Sequence, residues 1–491
     1  MWSSQDTKKA LPVWVLGALY ILPLIITNSQ YYDDIGRSVY GYFSWGIDGR
    51  PLSDVVFMAL DIGSPATDIA PYPQIAAVML LSTLCYLIHR YLNPEHRFGW
   101  LVFTPIFMSP FFVQNLAFRF DSITMALSVV SAITPLMFIR SGGYKSFLCS
   151  LVGVLISLCF YQASLSIFVG MVCLYVIFSI ERGEQTRSVI LNTLIAAAGM
   201  LVGYALYSKF VVPMFVTSSY ASGYNHTIGS FSELETNIRT ARDIIKTLMN
   251  GAVGKLYLLT SYLAAIGLAA LIFRILISRT GAINRVTRTL LVLLSVAVIF
   301  VCIPGPGLAL KEMPIGPRVF VGFGLASALL LSLISFIIPK HEKLNSIFPV
   351  ILALVSFSFM GTFTNSVSAQ DKLADRIING VMVDMNNAGF MSIKTITVDG
   401  RPPYSPQADK ATMKYPLLKQ LVPNYFDGVS AWGVVKMTAV FAGRPQPEQA
   451  AQAELISRIC DMRLISDADL YRTYIDDKGN FLISFNRRDC K

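Results

Sequence analysis

The sequence predicts an α-helical polytopic membrane protein of about eleven transmembrane helices, followed by a small C-terminal α+β domain. Of the 491 residues, 54% are hydrophobic and only 14% are charged, and the mean hydropathy is +0.55. Soluble domains carry about 25% charged residues, so much of this surface must face lipid. Beyond residue 365 the charge rises and the long apolar runs stop. We therefore predict a membrane domain over residues 1–364 and a second domain over residues 365–491.

The apolar runs are each about long enough to cross roughly 30 Å of hydrocarbon as a helix. Two are less regular, since Pro105 and Pro110 interrupt the run at 99–116 and the run at 146–160 is short. No small-residue cleavage site follows the first run, which predicts a retained anchor. The eleven runs lie at 11–28, 73–91, 99–116, 122–139, 146–160, 163–180, 189–208, 256–276, 289–304, 319–338 and 346–364.

Lysine and arginine in alternate short loops predict the orientation of the chain, because such residues favour the cytoplasmic side. Lys8 and Lys9 precede the first run, and Arg140 and Lys145 lie in a later loop of the same set. The N-terminus is then cytoplasmic, and the loop at 29–72 and the C-terminal domain lie outside. The net charge of +10 is explained in the same way, so it does not indicate a nucleic-acid partner.

The C-terminal domain shows three local patterns. The stretch "DKLADRIINGVMVDMNNAG" is typical of an amphipathic helix that ends at Gly389. The stretch "SIKTITVDG" alternates like a strand, and "DLYRTYIDDKGNFLISFN" predicts a hairpin. Cys460 and Cys490 are its only cysteines, and we expect them to form a disulfide in an oxidising compartment.

The membrane spans lack the groups that several function classes need. Residues 146–180 contain no charge, whereas ion-coupled transporters usually carry ionisable groups near the bilayer midplane. The stretch "PGPGLALK" lacks the spacing of a phosphate-binding loop. The four histidines show no metal-ligand spacing. These observations argue against a proton- or sodium-driven carrier and against a metal centre.

The remaining polar groups concentrate at helix ends on the predicted outer side. Asp33 and Asp34 directly follow the first run, in a loop rich in aromatic residues that include Trp45. Structural roles remain open alternatives: a helix cap by Asp33, local ion pairs of Asp34 with Arg37 and of Arg119 with Asp121, a helix-end anchor by Arg318, and an interfacial belt of the aromatic residues. The other polar residues at these ends are Arg37, Asp48, Arg50, Arg119, Asp121, Tyr161, Gln162, Lys311, Glu312 and Arg318.

A catalytic interpretation joins these groups in one pocket. A carboxylate at the lipid–water boundary can act as a general base, which contributes about 10²–10⁴-fold in rate. Two adjacent carboxylates repel each other, so we expect one to act and the other to orient or bind. Arginines hold phosphate by charge-assisted hydrogen bonds and favour its departure. The segment "SDVVFMALDIG" is typical of a short helix on the membrane surface, beside which a lipid-borne donor would enter.

Four stretches resemble one known family. An acidic pair after the first of about eleven spans resembles the GT-C glycosyltransferases, which use polyprenyl-phosphate sugars. More closely, the chain resembles the type II glucosyl transferase family, the serotype-converting O-antigen glucosyltransferases of enteric bacteria. The stretches that carry the resemblance are "YYDDIGRSVYGYFSWGIDGRPL", "QNLAFRFDSITMAL", "CFYQASLSIF" and "GPRVFVGFG".

The resemblance implies an inverting enzyme of the bacterial inner membrane. Its donor would be undecaprenyl-phosphate glucose, supplied by a glucose-lipid synthase and a flippase, and its acceptor a sugar of the lipid-linked O-antigen repeat in the periplasm. Asp33 and Asp34 match the acidic pair, and one of them would be the base. Some GT-C enzymes need a divalent metal, but the lack of further ligands here favours no required cofactor.

The other site residues are assigned from charge and position rather than from family roles. Arginines and a lysine near the acidic pair are expected to bind the donor phosphate, and further polar and aromatic residues to bind the donor or acceptor sugar. The phosphate candidates are Arg119, Arg318, Arg37 and Lys311. The sugar candidates are Arg50, Asp121, Tyr161, Gln162 and Trp45.

Three alternatives remain open. An O-antigen polymerase or ligase would join larger lipid-linked glycans, but such enzymes tend to place an arginine-rich outer loop between late spans. A flippase or transporter of lipid-linked sugars would need a polar path through the bundle. A non-catalytic scaffold would tolerate Asp33→Asn and Asp34→Asn without loss of function.

Overall fold

A computed structural model describes the helical bundle and the C-terminal domain. It covers residues 3–92, 99–223, 226–339, 341–428, 432–441, 445–447 and 449–488. Within these ranges nine helices are long and apolar enough to cross a membrane. They are Ser4–Thr27, Tyr72–Leu92, Ser122–Ser141, Gly143–Phe160, Gln162–Glu181, Thr186–Phe215, Ala252–Leu276, Ala282–Val301 and Glu342–Ala388.

Two of the eleven predicted spans are shorter than a bilayer crossing in the described part of the chain. The run at 99–116 is broken near its prolines into short helical pieces. The run at 319–338 contains one helix, Gly322–Ser335, of 14 residues. At about 1.5 Å per residue it spans only ~21 Å, and all of its residues are buried. The predicted count of eleven is therefore not confirmed, because these two segments pack inside the protein.

Local signals explain where several helices begin and end. Ser3 and Asp6 form a capping box at the start of the first helix, which ends at Asn28 in the left-handed conformation. The helices of the membrane part are α1 (Ser4–Thr27), α2 (Asp33–Tyr40), α3 (Pro51–Leu60), α4 (Tyr72–Leu92), α5 (Pro105–Met108), α6 (Val113–Ala117), α7 (Ser122–Ile133), α8 (Gly143–Phe160), α9 (Leu165–Glu181), α10 (Thr186–Leu206), α11 (Val212–Phe215), α12 (Ser219–Gly223), α13 (Phe231–Met249), α14 (Ala252–Leu276), α15 (Ala282–Val301), α16 (Gly322–Ser335) and α17 (Glu342–Asn345).

The helix α18 (Ile347–Ala388) connects the bundle to the C-terminal domain. It has 42 residues, so it is ~63 Å long and extends well beyond the ~30 Å of a hydrocarbon core. The last predicted span and the predicted amphipathic helix are thus one continuous helix, and residue 365 lies inside it. It ends at Gly389, as predicted, with a φ of 89° that glycine adopts without strain.

The C-terminal domain contains a four-stranded sheet in the order β1-β4-β3-β2. The strand predicted in "SIKTITVDG" and the hairpin predicted in "DLYRTYIDDKGNFLISFN" are both confirmed. β1 runs parallel to β4, and the other pairs are antiparallel. Cys490 lies outside the described residues, so its pairing with Cys460 stays a prediction. The strands are β1 (Thr395–Asp399), β2 (Arg463–Asp467), β3 (Arg472–Ile475) and β4 (Asn480–Ser484), and the remaining helices are α19 (Pro406–Lys414), α20 (Leu418–Leu421), α21 (Trp432–Thr438) and α22 (Gln449–Ser457).

The core of the C-terminal domain includes a residue from the loop that follows the first helix. Ile35 of α2 is 1% exposed and packs in one apolar cluster with Ile377, Val381 and Val434. Removing such a side chain from water stabilises the packed state by about 1.5–3 kcal/mol. The acidic pair on α2 is therefore held between the helical bundle and the C-terminal domain.

Candidate active site

Several loops meet at one end of the bundle, which we call the site end: it carries residues 28–71, 118–121, 160–162 and 305–320. Contacts between distant segments define it. Ser53 donates to the carbonyl of Phe160, and the Tyr161 hydroxyl donates to the carbonyl of Arg318. The predicted convergence of loops from several spans is present in this arrangement.

The acidic pair opens the short helix α2. The preceding residue, Tyr32, has a φ of 45°, and residues other than glycine rarely adopt a positive φ. Such strain persists only where the surroundings hold it. Asp33 and Asp34 are the first two residues of the helix, and its N-cap position is Tyr32, so Asp33 does not cap it. Neighbouring helical residues point in different directions, so the two carboxylates have different surroundings.

Asp34 is fully buried and accepts three backbone hydrogen bonds. The N–H groups of Tyr31 and Arg119 donate at 3.1 Å, and that of Phe120 donates at 3.3 Å. Burial and the nearby charge of Asp121 raise the pKa of Asp34 well above its usual value, although the backbone donors oppose this shift. Asp34 thus joins the loop after α1 to the turn before α7, which is a structural, orienting role.

Asp33 is the more accessible carboxylate of the pair. Its side chain is 36% exposed, and its Oδ2 lies 3.8 Å from Nη1 of Arg318. The Arg318 guanidinium lies over the ring of Phe118, with 4.9 Å between Cζ and the ring centroid. A partly exposed carboxylate beside a partly exposed guanidinium has the composition expected of a site that handles a proton and a phosphate.

Asp121 is the centre of a buried charge network. It accepts hydrogen bonds from Nη1 of Arg37 and Nη1 of Arg50, both at 3.4 Å, and from Nε1 of Trp45 at 2.7 Å. Burial alone raises the pKa of Asp121, but Arg37, Arg50 and Trp45 together outweigh burial and leave the pKa below its usual value. Cζ of Arg37 also lies 4.1 Å from the centroid of the Trp45 ring.

The Arg119 side chain contacts residues at the two ends of the loop between α1 and α4, and it does not pair with Asp121. Its Nη1 pairs with Asp68, and its Nη2 donates to the side chain of Asn28 at 2.6 Å. The local Arg119–Asp121 pair suggested by sequence is therefore replaced by longer-range partners. Because the side chain of Arg119 is only 7% exposed, its predicted contact with phosphate requires displacement of Asp68.

Gln162, one of the predicted sugar-binding residues, connects neighbouring loops by hydrogen bonds. Nε2 of Gln162 donates to the carbonyl of Asp48 at 3.0 Å and to the Tyr207 hydroxyl at 2.8 Å.

Lys311, a candidate for binding the donor phosphate, is exposed, and in the described part of the chain no ion pair joins its side chain to a carboxylate. Its backbone N–H donates to the carbonyl of His226. The structure thus places Gln162 among the site residues and leaves Lys311 at the surface.

Two structurally important residues were not predicted. Gln114 accepts the backbone N–H of Arg318 at 2.8 Å and donates toward the Tyr31 hydroxyl at 3.5 Å. Asp54 accepts the backbone N–H groups of Trp45 and Gly46 at 2.9 and 2.6 Å. The sequence signal was a single polar side chain within a largely apolar stretch, an amide at Gln114 and a carboxylate at Asp54.

The described residues contain no group of three or more His, Cys, Asp or Glu side chains arranged to hold a metal ion. Asp33 and Asp34 do not converge, since one faces Arg318 and the other faces backbone donors. The chemistry that this arrangement supports is proton transfer by Asp33 with charge stabilisation by Arg318.

Replacement of Asp121 by Asn should destabilise the protein by about 3–5 kcal/mol at neutral pH, because Arg37 would stay buried without its carboxylate. The folded-state pKa of Asp121 is lowered, so its contribution is present above the usual value of 3.8 and is lost as pH falls through the folded-state pKa. The stability difference between wild type and Asp121→Asn should therefore shrink in acid. Unfolding midpoints in detergent from pH 7 to pH 3 measure this; a constant difference would contradict the assignment.

Comparison with known proteins adds an independent result. The family model of glucosyl transferase GtrII matches residues 22–376, which include the acidic pair, Asp121 and Arg318. An uncharacterized 55.3 kDa protein in the gtrB 5′ region of Salmonella phage P22 is 28% identical over 435 residues, covering 86% of this chain and 88% of the phage protein. No solved structure matches the chain. The protein belongs to the GtrII glucosyl transferase family.

Proposed function

We propose that this protein transfers glucose, with inversion, from undecaprenyl-phosphate glucose to a sugar of the O-antigen repeat. The reaction takes place on the periplasmic face of the bacterial inner membrane and changes the serotype. The observation that carries the proposal is the partly exposed Asp33–Arg318 pair at the site end of a GtrII family member. Family membership supports glucosyl transfer, and the lipid-facing helices favour a lipid-borne donor.

The proposed reaction has one chemical step. Asp33 accepts the proton of an acceptor hydroxyl, and the oxygen attacks the anomeric carbon of glucose. The bond from that carbon to the phosphate oxygen breaks on the opposite face, so the configuration inverts. Polyprenyl phosphate leaves with the electron pair, and Arg318 stabilises its growing negative charge. Asp33 finally releases its proton to water.

The donor reaches the site from the bilayer. The helix α3 and the turn after it expose apolar side chains, among them Val55 at 60%, Met58 at 45% and Ile62 at 94%. An exposed apolar surface at a membrane boundary is typical of a segment that contacts acyl chains and headgroups. Such a surface would let a polyprenyl chain stay in lipid while its phosphate enters the polar cluster.

The direct experiment uses purified protein in lipid with polyprenyl-phosphate glucose and a lipid-linked O-antigen acceptor. We expect the acceptor to gain the mass of one glucose, with the anomeric configuration inverted. Joining of whole repeats would indicate the polymerase or ligase alternative. Movement of the donor between leaflets without transfer would indicate a flippase. Absence of transfer by a folded wild-type protein would contradict the proposed function.

Replacement of Arg318 by Ala should lower kcat/KM for the donor about 10–1,000-fold, because a charge-assisted contact to the leaving phosphate is lost. Initial rates at varied donor concentration measure the effect. Arg376→Ala is a matched control, since Arg376 is exposed on α18. Equal losses in both variants would show that general charge attraction, and not the site contact, explains the decrease.

A further inference from the structure

The C-terminal domain holds the segment before the acidic pair with two reciprocal hydrogen bonds. The hydroxyl of Tyr425 donates to the carbonyl of Gln30 at 2.7 Å. In the other direction, the Tyr31 hydroxyl donates to the carbonyl of Leu421. The two bonds join residues 395 and 390 positions apart, and each ends on a backbone carbonyl. The two bonds therefore restrain the main chain of Gln30 and the side chain of Tyr31, shortly before Asp33.

Aromatic packing extends this contact to the strained residue. The ring of Tyr32 packs edge-on against those of Tyr425 and Trp432, with centroids 5.8 and 6.4 Å apart. Tyr32 is the residue with φ of 45°. A residue other than glycine normally has a negative φ, and it keeps a positive φ only when its surroundings hold it there. Tyr425 and Trp432 supply those surroundings.

The following turn is fixed by the same domain. Ile35 is buried among Ile377, Val381 and Val434, two residues after Asp33. At the next position, Gly36 lets the Tyr42 hydroxyl and the Trp432 ring lie close to the backbone of α2. An added Cβ would lie 2.8 Å from that hydroxyl and 3.5 Å from that ring. Residues on both sides of Asp33 are thus held by the C-terminal domain.

We propose that the C-terminal domain determines the direction of the Asp33 carboxylate and that Tyr425 is a positioning residue for it. Tyr425 does not reach Asp33; it acts through Gln30 and the ring of Tyr32. The proposal rests on the proposed function, in which Asp33 is the base. It assigns the C-terminal domain a role in the transfer step.

Tyr425→Phe tests the proposal with little change in volume. We expect the backbone amides of residues 31–36 to exchange hydrogen at least about threefold faster, because one restraining hydrogen bond is lost. We also expect kcat to fall about 10–100-fold while KM for the donor changes less than about twofold, since a small misplacement of a catalytic group lowers turnover. Tyr31→Phe removes the reciprocal bond and also the long contact from Gln114, so it should likewise speed exchange at residues 31–36.

Tyr471→Phe is the matched control. Tyr471 belongs to the same apolar cluster and packs on Phe485, so its variant tests a general loss of domain stability. The proposal is overturned if Tyr425→Phe leaves exchange at residues 31–36 unchanged, or if Tyr471→Phe changes it equally. If wild type transfers no glucose, the proposed function fails, whereas the exchange measurement still decides whether Tyr425 positions the segment.

Discussion

Replacement of Asp33 by Asn is expected to lower glucose transfer about 10²–10⁴-fold, the usual contribution of a general base. Asn is nearly isosteric but cannot accept the proton of the acceptor hydroxyl. Because Asp33 is partly exposed and its one described ion-pair contact, with Arg318, is long at 3.8 Å, the variant should fold and accumulate normally. Initial transfer rates of purified protein, normalised to the amount of folded protein, measure the loss.

Asp375→Asn provides a control of the same chemistry. Asp375 lies on α18 with a side chain that is 59% exposed, and its contact with Lys436 is also long at 3.7 Å. This variant should retain wild-type activity. An Asp33→Asn protein that transfers glucose at the wild-type rate would rule out the base and, with it, the mechanism.

Replacement of Asp34 by Ala should have a different effect, namely loss of stability. The variant leaves the N–H groups of Tyr31, Arg119 and Phe120 without their buried acceptor. Each unsatisfied buried donor costs about 1–3 kcal/mol, and some will find water, so we expect a total of roughly 3–5 kcal/mol. Thermal unfolding in detergent and the amount of protein in membranes measure this loss.

The milder Asp34→Asn variant separates the two roles of the acidic pair. It keeps one acceptor oxygen, so it should lose less stability than Asp34→Ala and retain part of the activity. An Asp34→Asn protein that is as stable as wild type but fully inactive would instead make Asp34 the base. Asp33 would then be the supporting residue, and its exposure would need another explanation.

Much of the architecture follows from local patterns. Apolar runs of spanning length identify the long helices, and alternation with a polar turn identifies the hairpin at residues 469–486. The polarity change near residue 365 also marks where the chain leaves apolar surroundings. It does not mark a break in the backbone, because α18 simply changes its environment along its length. The composition of a segment reflects its surroundings, and along α18 the surroundings change while the helix continues.

The predicted count of eleven spans was not confirmed at the two segments that are buried inside the protein. The helix α16 is as apolar as a membrane span but is surrounded by protein along all of its residues. Hydropathy alone cannot distinguish these two apolar environments. Length was the remaining signal, and the proline-flanked loop before α16 obscured where the helix begins.

The site was predicted as a set of residues but not as a set of contacts. Local spacing suggested that Asp34 pairs with Arg37, whereas Arg37 reaches Asp121, 84 positions along the chain. The bond from Tyr425 to Gln30 has no sequence signature at all, since it joins a side chain to a backbone carbonyl 395 positions away. Tertiary packing decides such partners, and a single sequence does not report it.

The most direct test of the central claim asks from which side of the membrane the enzyme takes its donor. Purified protein is placed in vesicles, its orientation is determined, and polyprenyl-phosphate glucose is supplied to one leaflet only. We expect glucose transfer only when donor and acceptor share the side that carries Asp33 and Arg318. Transfer with the donor confined to the opposite leaflet, in vesicles without a flippase, would contradict the proposed site.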